Sequence, residues 1–486
     1  GAGAQGAAPL PGWAWVHRAC EMNDDPYYRE LPDGTIKQVN PFTGTKVWTV
    51  PGRGARPLGR PAEQLQNLTE RDRHAACTFC PDNHLLTPPE KTRLVKREGG
   101  LVRGHDLIRH VPADQLDATV PEFRRVPNLF EILSWQYWQL NWGMDLPRAS
   151  RDWQEEYLSN PAGEAHVRSV LNAKFKAVGS EQHAETLKPQ ELREASAAFF
   201  AGGHDVVVAR RHYTDEGTTT ADIAGSASLT VDEHRAFMAL TVDSMAQLHR
   251  HNKHVRYVVV FQNWLKPAGA SLDHLHKQLV AIDEVGADNE SVLPKAVLDP
   301  GIFNRWGPDF AVEHGLVLAR NEGAVMTVGF GHRYPSVEVW STSRADQPWQ
   351  IDDEGIDAVS DLLHAAHVAV SDDVPANEEW HYRPMGTGIP VPWRIILKLR
   401  VSTLAGFEGG TKVYVNTISP ASLAAQLLPK LQEARAAGRI AAMGLGDECG
   451  SPRQCLLLRT RGEEKGSSAG DGGSVSRRGR GHEPGT

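Results

Sequence analysis

A readable hydrophobic pattern starts near residue 27. Over residues 28–50, YRELPDGTIKQVNPFTGTKVWTV, short alternating runs are separated by Pro-Asp-Gly and Thr-Gly-Thr, the turn chemistry of hairpins. A Gly/Pro-punctuated loop carrying arginines, PGRGARPLGRP, follows. Residues 113–203 turn Trp-, Glu- and Ala-rich with helical spacing, as in SWQYWQLNW and QELREASAAFFA, and read as an inserted helical region. HDVVVAR, at 204–210, predicts a strand. Thr230 and Glu233 form a capping box that opens an amphipathic helix running to about residue 251. The strands RYVVVF and HKQLVAI then flank a polar loop. Further on, AVMTVGF and SVEVWST predict strands, DDEGIDAVSDLLHAAHVAV a helix, and WRIILKLRV another strand. The recurring pattern suggests two related halves, 27–300 and 301–443, between a loose lead-in at 1–26 and a disordered Gly/Ser/Arg tail at 444–486.

Composition narrows this picture only a little. The 486 residues, 40% hydrophobic and 23% charged, are ordinary for a soluble globular protein of two or three domains. A net charge of -8 argues against a nucleic-acid footprint over the whole protein, which needs excess Lys and Arg. No run approaches the roughly 18 apolar residues that span a bilayer, and the Gly/Ala-rich start lacks the order of a signal peptide, so the cytoplasm is the default location. Five cysteines are too few and too unevenly spaced for a disulfide framework. Cys20, Cys449 and Cys455 read as plain thiols. Cys77 and Cys80 form the one close pair suited to a metal.

Chemistry concentrates in FQNWLKPAGASLDHLHKQLVA, where His274, His276 and Gln278 alternate and so share one face of a strand. Following an Ala-Gly-Ala-Ser loop, this run has what phosphate chemistry at a histidine needs: an imidazole to attack, a neighbour to orient it, and an amide to hold phosphate oxygens. The plainer reading is a polar, solvated strand face. In CTFCPDNHLLTPPE the Cys77-x-x-Cys80 spacing lets two thiolates grip one tetrahedral zinc, with His212 and His274 as candidates to complete the set. A redox pair or two unrelated thiols would give the same spacing.

The first of these segments resembles the active-site strand of galactose-1-phosphate uridylyltransferases, a branch of the histidine-triad superfamily, with their Asn, Gly-Ala-Ser and His-Pro-His-x-Gln motif. Leu275 stands here where that motif has proline. TKVWTVPGRGARPLGRP is similar to the family's opening strand and arginine loop, CTFCPDNHLLTPPE to its zinc knuckle, and VPNLFEIL to its Pro-Asn-x-Phe segment. LKLRVSTLAGFEGGTKVYVNTISPASLAAQL resembles its second half. The ordered matches span about residues 45–427, interrupted by the helical region; the missing proline, the inserted helices and the unusual YRELPDGTIKQVNPFTG segment mark a divergent branch.

The resemblance implies an α+β fold of two histidine-triad-like halves, each an antiparallel sheet with helices on one side. It implies that His276 is the nucleophile and that Gln278 holds the transferred phosphate. The loop of Gly269, Ala270 and Ser271 would approach the other phosphate through its backbone, and Arg53 and Arg56 would grip the nucleotide-sugar phosphates. Asn128, Phe130 and Asn263 match positions near the base and phosphates, while Glu408 and Lys412 loosely match hexose contacts. Zinc would be held by Cys77, Cys80, His212 and His274. A second metal site of the family is expected to be absent, since Arg394 and Ile396 replace its histidines.

The activity so implied moves a nucleoside monophosphate, UMP above all, between a nucleotide sugar and a sugar phosphate through nucleotidyl-His276. An imidazole with a pKa of about 6.5 is largely neutral at neutral pH and attacks without a separate base. A dinucleoside-polyphosphate phosphorylase or nucleotide hydrolase of the superfamily is the alternative. A catalytically silent nucleotide- or RNA-binding scaffold is a third reading. Family members commonly dimerise, so a homodimer is open to this chain.

Overall fold

The computed structural model describes residues 25–51 and 65–458 and has the expected α+β architecture. The hairpin segment forms β1 (Tyr28–Glu30), β2 (Ile36–Val39) and β3 (Lys46–Thr49). The remaining strands are β4 (Thr92–Lys96), β5 (His105–Arg109), β6 (Pro121–Pro127), β7 (His204–Ala209), β8 (Tyr257–Trp264), β9 (His276–Ile282), β10 (Val317–Arg320), β11 (Ala324–Gly329), β12 (Ser336–Ser341), β13 (Ala376–His381), β14 (Arg394–Leu399), β15 (Val413–Asn416) and β16 (Gly444–Leu445). Among the described residues, twelve of these form one sheet in the order β16-β10-β11-β12-β14-β13-β8-β9-β7-β6-β4-β5. The two halves meet where β8 pairs antiparallel with β13, Asn263 opposite Asn377 and Phe261 opposite Glu379. In the small second sheet β15 runs parallel to β3, which ties the hairpin segment to the second half.

Two long helices, α5 (Val231–His251) and α6 (Asp353–Val370), cover one face of the large sheet; α1 to α4 belong to the insertion described below. The Thr230 capping box forms as the sequence predicts, the Thr230 side chain accepting from Glu233 N–H. The helices lock together through Arg235, whose guanidinium grips the Asp361 carboxylate at 2.7 and 2.8 Å, and through His234 Nδ1, 2.7 Å from Ser360 Oγ. Beneath them lies an apolar core of fully buried residues such as Phe237, Leu240, Leu279, Leu362 and Ile395.

The structure departs from the sequence reading in three places. Residues 113–203 are not wholly helical, because β6 runs through them and pairs with β4 and β7. The helices of this region are α1 (Trp135–Trp142), α2 (Arg148–Ser159), α3 (Pro161–Ala177) and α4 (Pro189–Ala201), the last three packed on a core of their own around Trp153, Val167 and Phe199. Order also continues past residue 444: β16 pairs with β10, and Leu456 is buried beside Phe303 and Trp340. The few apolar residues of 444–458 suffice because each finds a prepared surface. The third departure is β13, whose sequence ANEEWH hides a central strand behind four polar residues.

Those polar residues have partners on both faces. Glu378, fully buried, accepts from Lys277 Nζ at 2.6 Å and Trp380 Nε1 at 2.7 Å, with His367 Nε2 2.9 Å from its other oxygen. Lys277, equally buried, also donates to Gln262 Oε1 at 3.0 Å. Burial pushes the Glu378 carboxyl up, but Lys277 and His367 outweigh it and hold it below the usual carboxylate range. Removing one partner strands the other charge inside the core. Glu378→Ala should therefore cost about 3–5 kcal/mol in chemical denaturation, and a Lys277→Met/Glu378→Leu pair much less; equal losses in the two variants would disprove the pairing energetics.

Candidate active site and metal centre

Alternation along β9 puts His276 and Gln278 on the face opposite Lys277, the face that the covering helices leave open. His276 lies across from Val208 and Gln278 across from Val206. His274 precedes the strand and is 1% exposed. Its Nε2 lies 2.6 Å from the Ala209 carbonyl, which can only accept, so this nitrogen carries the proton. Nδ1 is left with a lone pair, and it points at sulfur: 3.5 Å from Cys77 Sγ and 3.8 Å from Cys80 Sγ.

Cys77, Cys80, His212 and His274 place their ligand atoms within 4.8 Å of one another. A tetrahedral ion with sulfur at about 2.3 Å and nitrogen at about 2.0–2.1 Å requires sulfurs about 3.8 Å apart and sulfur–nitrogen separations of about 3.5 Å. The Cys77–Cys80 distance is 3.8 Å and the Cys80 Sγ to His212 Nδ1 distance is 3.5 Å. The donor set therefore fits a tetrahedral metal without rearrangement. The hydrogen bond from the Cys77 thiol, with His212 and His274 beside it, holds Cys80 down as the thiolate, while the same bond holds Cys77 up.

The cluster also fixes His276. The His274 carbonyl accepts from His276 Nδ1–H at 2.6 Å, so His276 Nε2 keeps its lone pair. Phe79, between the two cysteines, sets its ring against the His276 imidazole, centroids 5.2 Å apart. Burial lowers the His276 pKa to about 4, so the ring is neutral at neutral pH.

Gln278 is positioned by a residue that the sequence reading passed over. His204 Nδ1 accepts from Ile132 N–H at 3.3 Å, which leaves the proton on Nε2, 3.0 Å from Gln278 Oε1. With its oxygen so engaged, Gln278 keeps its NH2 as a donor, without a hydrogen-bond partner among the described residues. Asn128 lies nearby, its Oδ1 accepting from Phe130 N–H. The sequence signal for His204 was weak, a polar His-Asp pair opening an apolar strand.

Other predicted residues are scattered. Asn263 sits on β8, its oxygen accepting from Asn377, which also holds the Ala268 carbonyl and so braces the following turn. That turn needs Leu265 at φ 66 and Gly269 at φ 91, the latter a conformation suited to glycine. Ala270 is buried and Ser271 exposed. A cavity of about 400 Å3 lined by Phe261, Asn263, Asn377 and Glu379 crosses the joint between the halves, and Phe261 is the cross-strand neighbour of Gln278. The Phe130 ring is exposed. Glu408 caps its own short helix and Lys412 closes it; no hydrogen bond or ion pair joins either to β9 among the described residues. Arg53 and Arg56 lie outside the described residues. Arg394 packs between Phe42 and Trp340, and Ile396 is buried opposite Glu338 and Glu379.

No helix among the described residues is long and apolar enough to cross a membrane. A search of curated proteins finds no match. The family described as a domain of unknown function, DUF4921, matches residues 31–458. Among solved structures, an ADP-glucose phosphorylase from Arabidopsis thaliana with bound ADP-glucose aligns with 81% of this chain and 98% of its own at 18% identity and a TM-score of 0.51. A GalT-like protein from the same plant aligns over the same shares at 17% identity and a TM-score of 0.50. The chain thus has a GalT-like fold.

Metal analysis of the purified full-length chain should find about one tetrahedrally bound metal ion per chain, its affinity falling about tenfold or more in Cys80→Ser and His212→Ala. A folded, metal-free protein whose cysteines are fully reduced would disprove the site.

Proposed function

We propose that this chain, which belongs to the DUF4921 family, is a nucleotidyltransferase that moves a nucleoside monophosphate from a nucleotide sugar to a phosphorylated acceptor through a covalent intermediate on His276. The observation that carries this reading is the tautomer of His276: Nδ1–H is committed to the His274 carbonyl, so Nε2 is an unprotonated nucleophile beside the free amide of Gln278.

In the first step the Nε2 lone pair forms a bond to the nucleotide's α-phosphorus as the bond to the leaving sugar phosphate breaks. The ring becomes cationic, and the Nδ1–H bond to the His274 carbonyl strengthens with that charge. The Gln278 NH2 donates to a nonbridging oxygen of the transferring phosphoryl group. In the second step a phosphate oxygen of the acceptor displaces His276 and restores the neutral imidazole. The groove along β8 and β13 is suited to hold the remainder of the nucleotide sugar, with Asn263 on its wall. The Gly269 to Ser271 turn offers small residues for close approach to a phosphate, and Arg53 and Arg56 are proposed phosphate ligands. Asn128 is a proposed contact near the base, as the sequence resemblance implies. Zinc, held by Cys77, Cys80, His212 and His274, would supply a fixed anchor for the strand. UMP is the nucleotide that the sequence resemblance favours. The fold shared with an ADP-glucose phosphorylase makes an adenylyl donor and inorganic phosphate as acceptor the second reading.

Intact mass after separate incubation with UDP-glucose, ADP-glucose and diadenosine polyphosphates tests both. The expected result is a gain of one nucleotide, absent in His276→Ala and formed about 10²–10³-fold more slowly in Gln278→Ala. An adduct that persists in His276→Ala would remove the proposed nucleophile; the absence of any adduct in the folded protein would remove the covalent mechanism.

A further inference from the structure

A cavity of about 260 Å3 opens on the side of the sheet away from His276, between β6, the start of α2 and the last turn of α5. The faces are set by alternation: Val126 on β6 joins Val206, Val208 and Phe79 on the His276 side, so Arg125 points the other way. The cavity is lined by Lys91, Arg109, Arg125 and Arg250, with His110 and His251 at its edge and Trp153 as an apolar wall.

Its charge is not balanced by protein. Lys91 and Arg125 are both buried and share one carboxylate, Asp205, at 2.7 and 2.6 Å. Arg109 is matched by Asp243 at 3.1 Å. Arg250 makes no ion pair among the described residues. Four cationic side chains therefore face two carboxylates, and Glu131 behind Lys91, pushed up to about 7 by burial, brings only part of a further negative charge.

Helix α2 adds donors to this excess. Its N-cap is Pro147, which has no side-chain acceptor, and Ala149 and Ser150 of its first turn line the cavity. The first-turn amides thus point to a place where an anion completes the helix end. Ser150 is 4% exposed, and its hydroxyl has no hydrogen-bond partner among the described residues. A buried, unpartnered hydroxyl, an uncapped helix of twelve residues and an excess of cations converge on one small space.

We propose that this cavity binds a phosphate dianion, either inorganic phosphate or the head group of a small phosphate monoester. Ser150 and the α2 amides would hold the oxygens, Arg250 would close over them, and Lys91 and Arg125 would supply the field.

Calorimetric titration of the full chain with inorganic phosphate and, separately, with glycerol 3-phosphate, at fixed ionic strength in chloride, tests this. Gln278→Ala separates the cavity from the candidate active site. The expected result is saturable binding of at least one of the two, retained in Gln278→Ala and weakened about tenfold or more in both Arg250→Glu and Ser150→Asp. Tighter binding of the ester would identify the monoester as the source, and equal or weaker binding would identify inorganic phosphate. Ser150→Asp puts a carboxylate in the first helical turn, where it favours folding, so loss of binding there is not loss of structure. No saturable binding of either ligand, unchanged affinity in both cavity variants, or loss confined to Gln278→Ala would overturn the proposal.

Discussion

The candidate active site depends on one residue whose three polar groups are all committed. His274 gives Nε2–H to the Ala209 carbonyl, turns Nδ1 to the two cysteines, and accepts His276 Nδ1–H at its own carbonyl. Each commitment fixes the next. The Ala209 bond selects the tautomer that can bind a metal, the sulfur cluster fixes the ring in space, and the carbonyl then selects the tautomer of His276. A loop whose Cys77 lies 197 residues from His274 in sequence is thereby joined to the lone pair that would attack phosphorus, without the metal ion touching substrate.

The same strand does different work on its other face. Lys277 lies between His276 and Gln278 in sequence but points into the helix-covered core, where Glu378 of the opposite half neutralises it. This pair crosses β8 and connects β9 to β13, so the joint between the halves is held electrostatically one residue from the proposed nucleophile. Period-two alternation makes this possible: a single strand carries reactive polar groups outward and a structural ion pair inward. A one-residue slip in register would exchange the two sets, so the buried pair also guards the register of the site.

What could be read from the sequence follows from how local the interactions are. His274, His276 and Gln278 were visible because their spacing alone puts them together, and Cys77 and Cys80 because two ligands fall within one turn. His212 could be named as a candidate ligand but not placed, because it is distant along the chain, and the structure brings it to Cys80. His204 was missed because its partners, Ile132 and Gln278, are distant along the chain. β13 was missed for the same reason: ANEEWH reads as a solvated segment until Lys277, His367 and Asn263 are known to meet it. The expected tail begins too early because the burial of Leu456 depends on Phe303 and Trp340, which no local composition reveals.

The exchange of proline for Leu275 shows how tertiary packing can replace a local constraint. Proline between two histidines would fix φ and stiffen the turn into the strand. Leu275 leaves that torsion free in isolation, yet its side chain is 1% exposed within the main core and its carbonyl accepts from Ala209 N–H at 3.0 Å. Ala209 therefore contacts this segment twice, donating to Leu275 and accepting from His274. Rigidity that proline would build into the backbone is supplied here by burial and by paired bonds to β7. The orientation of His276 then depends on the whole sheet rather than on one dipeptide.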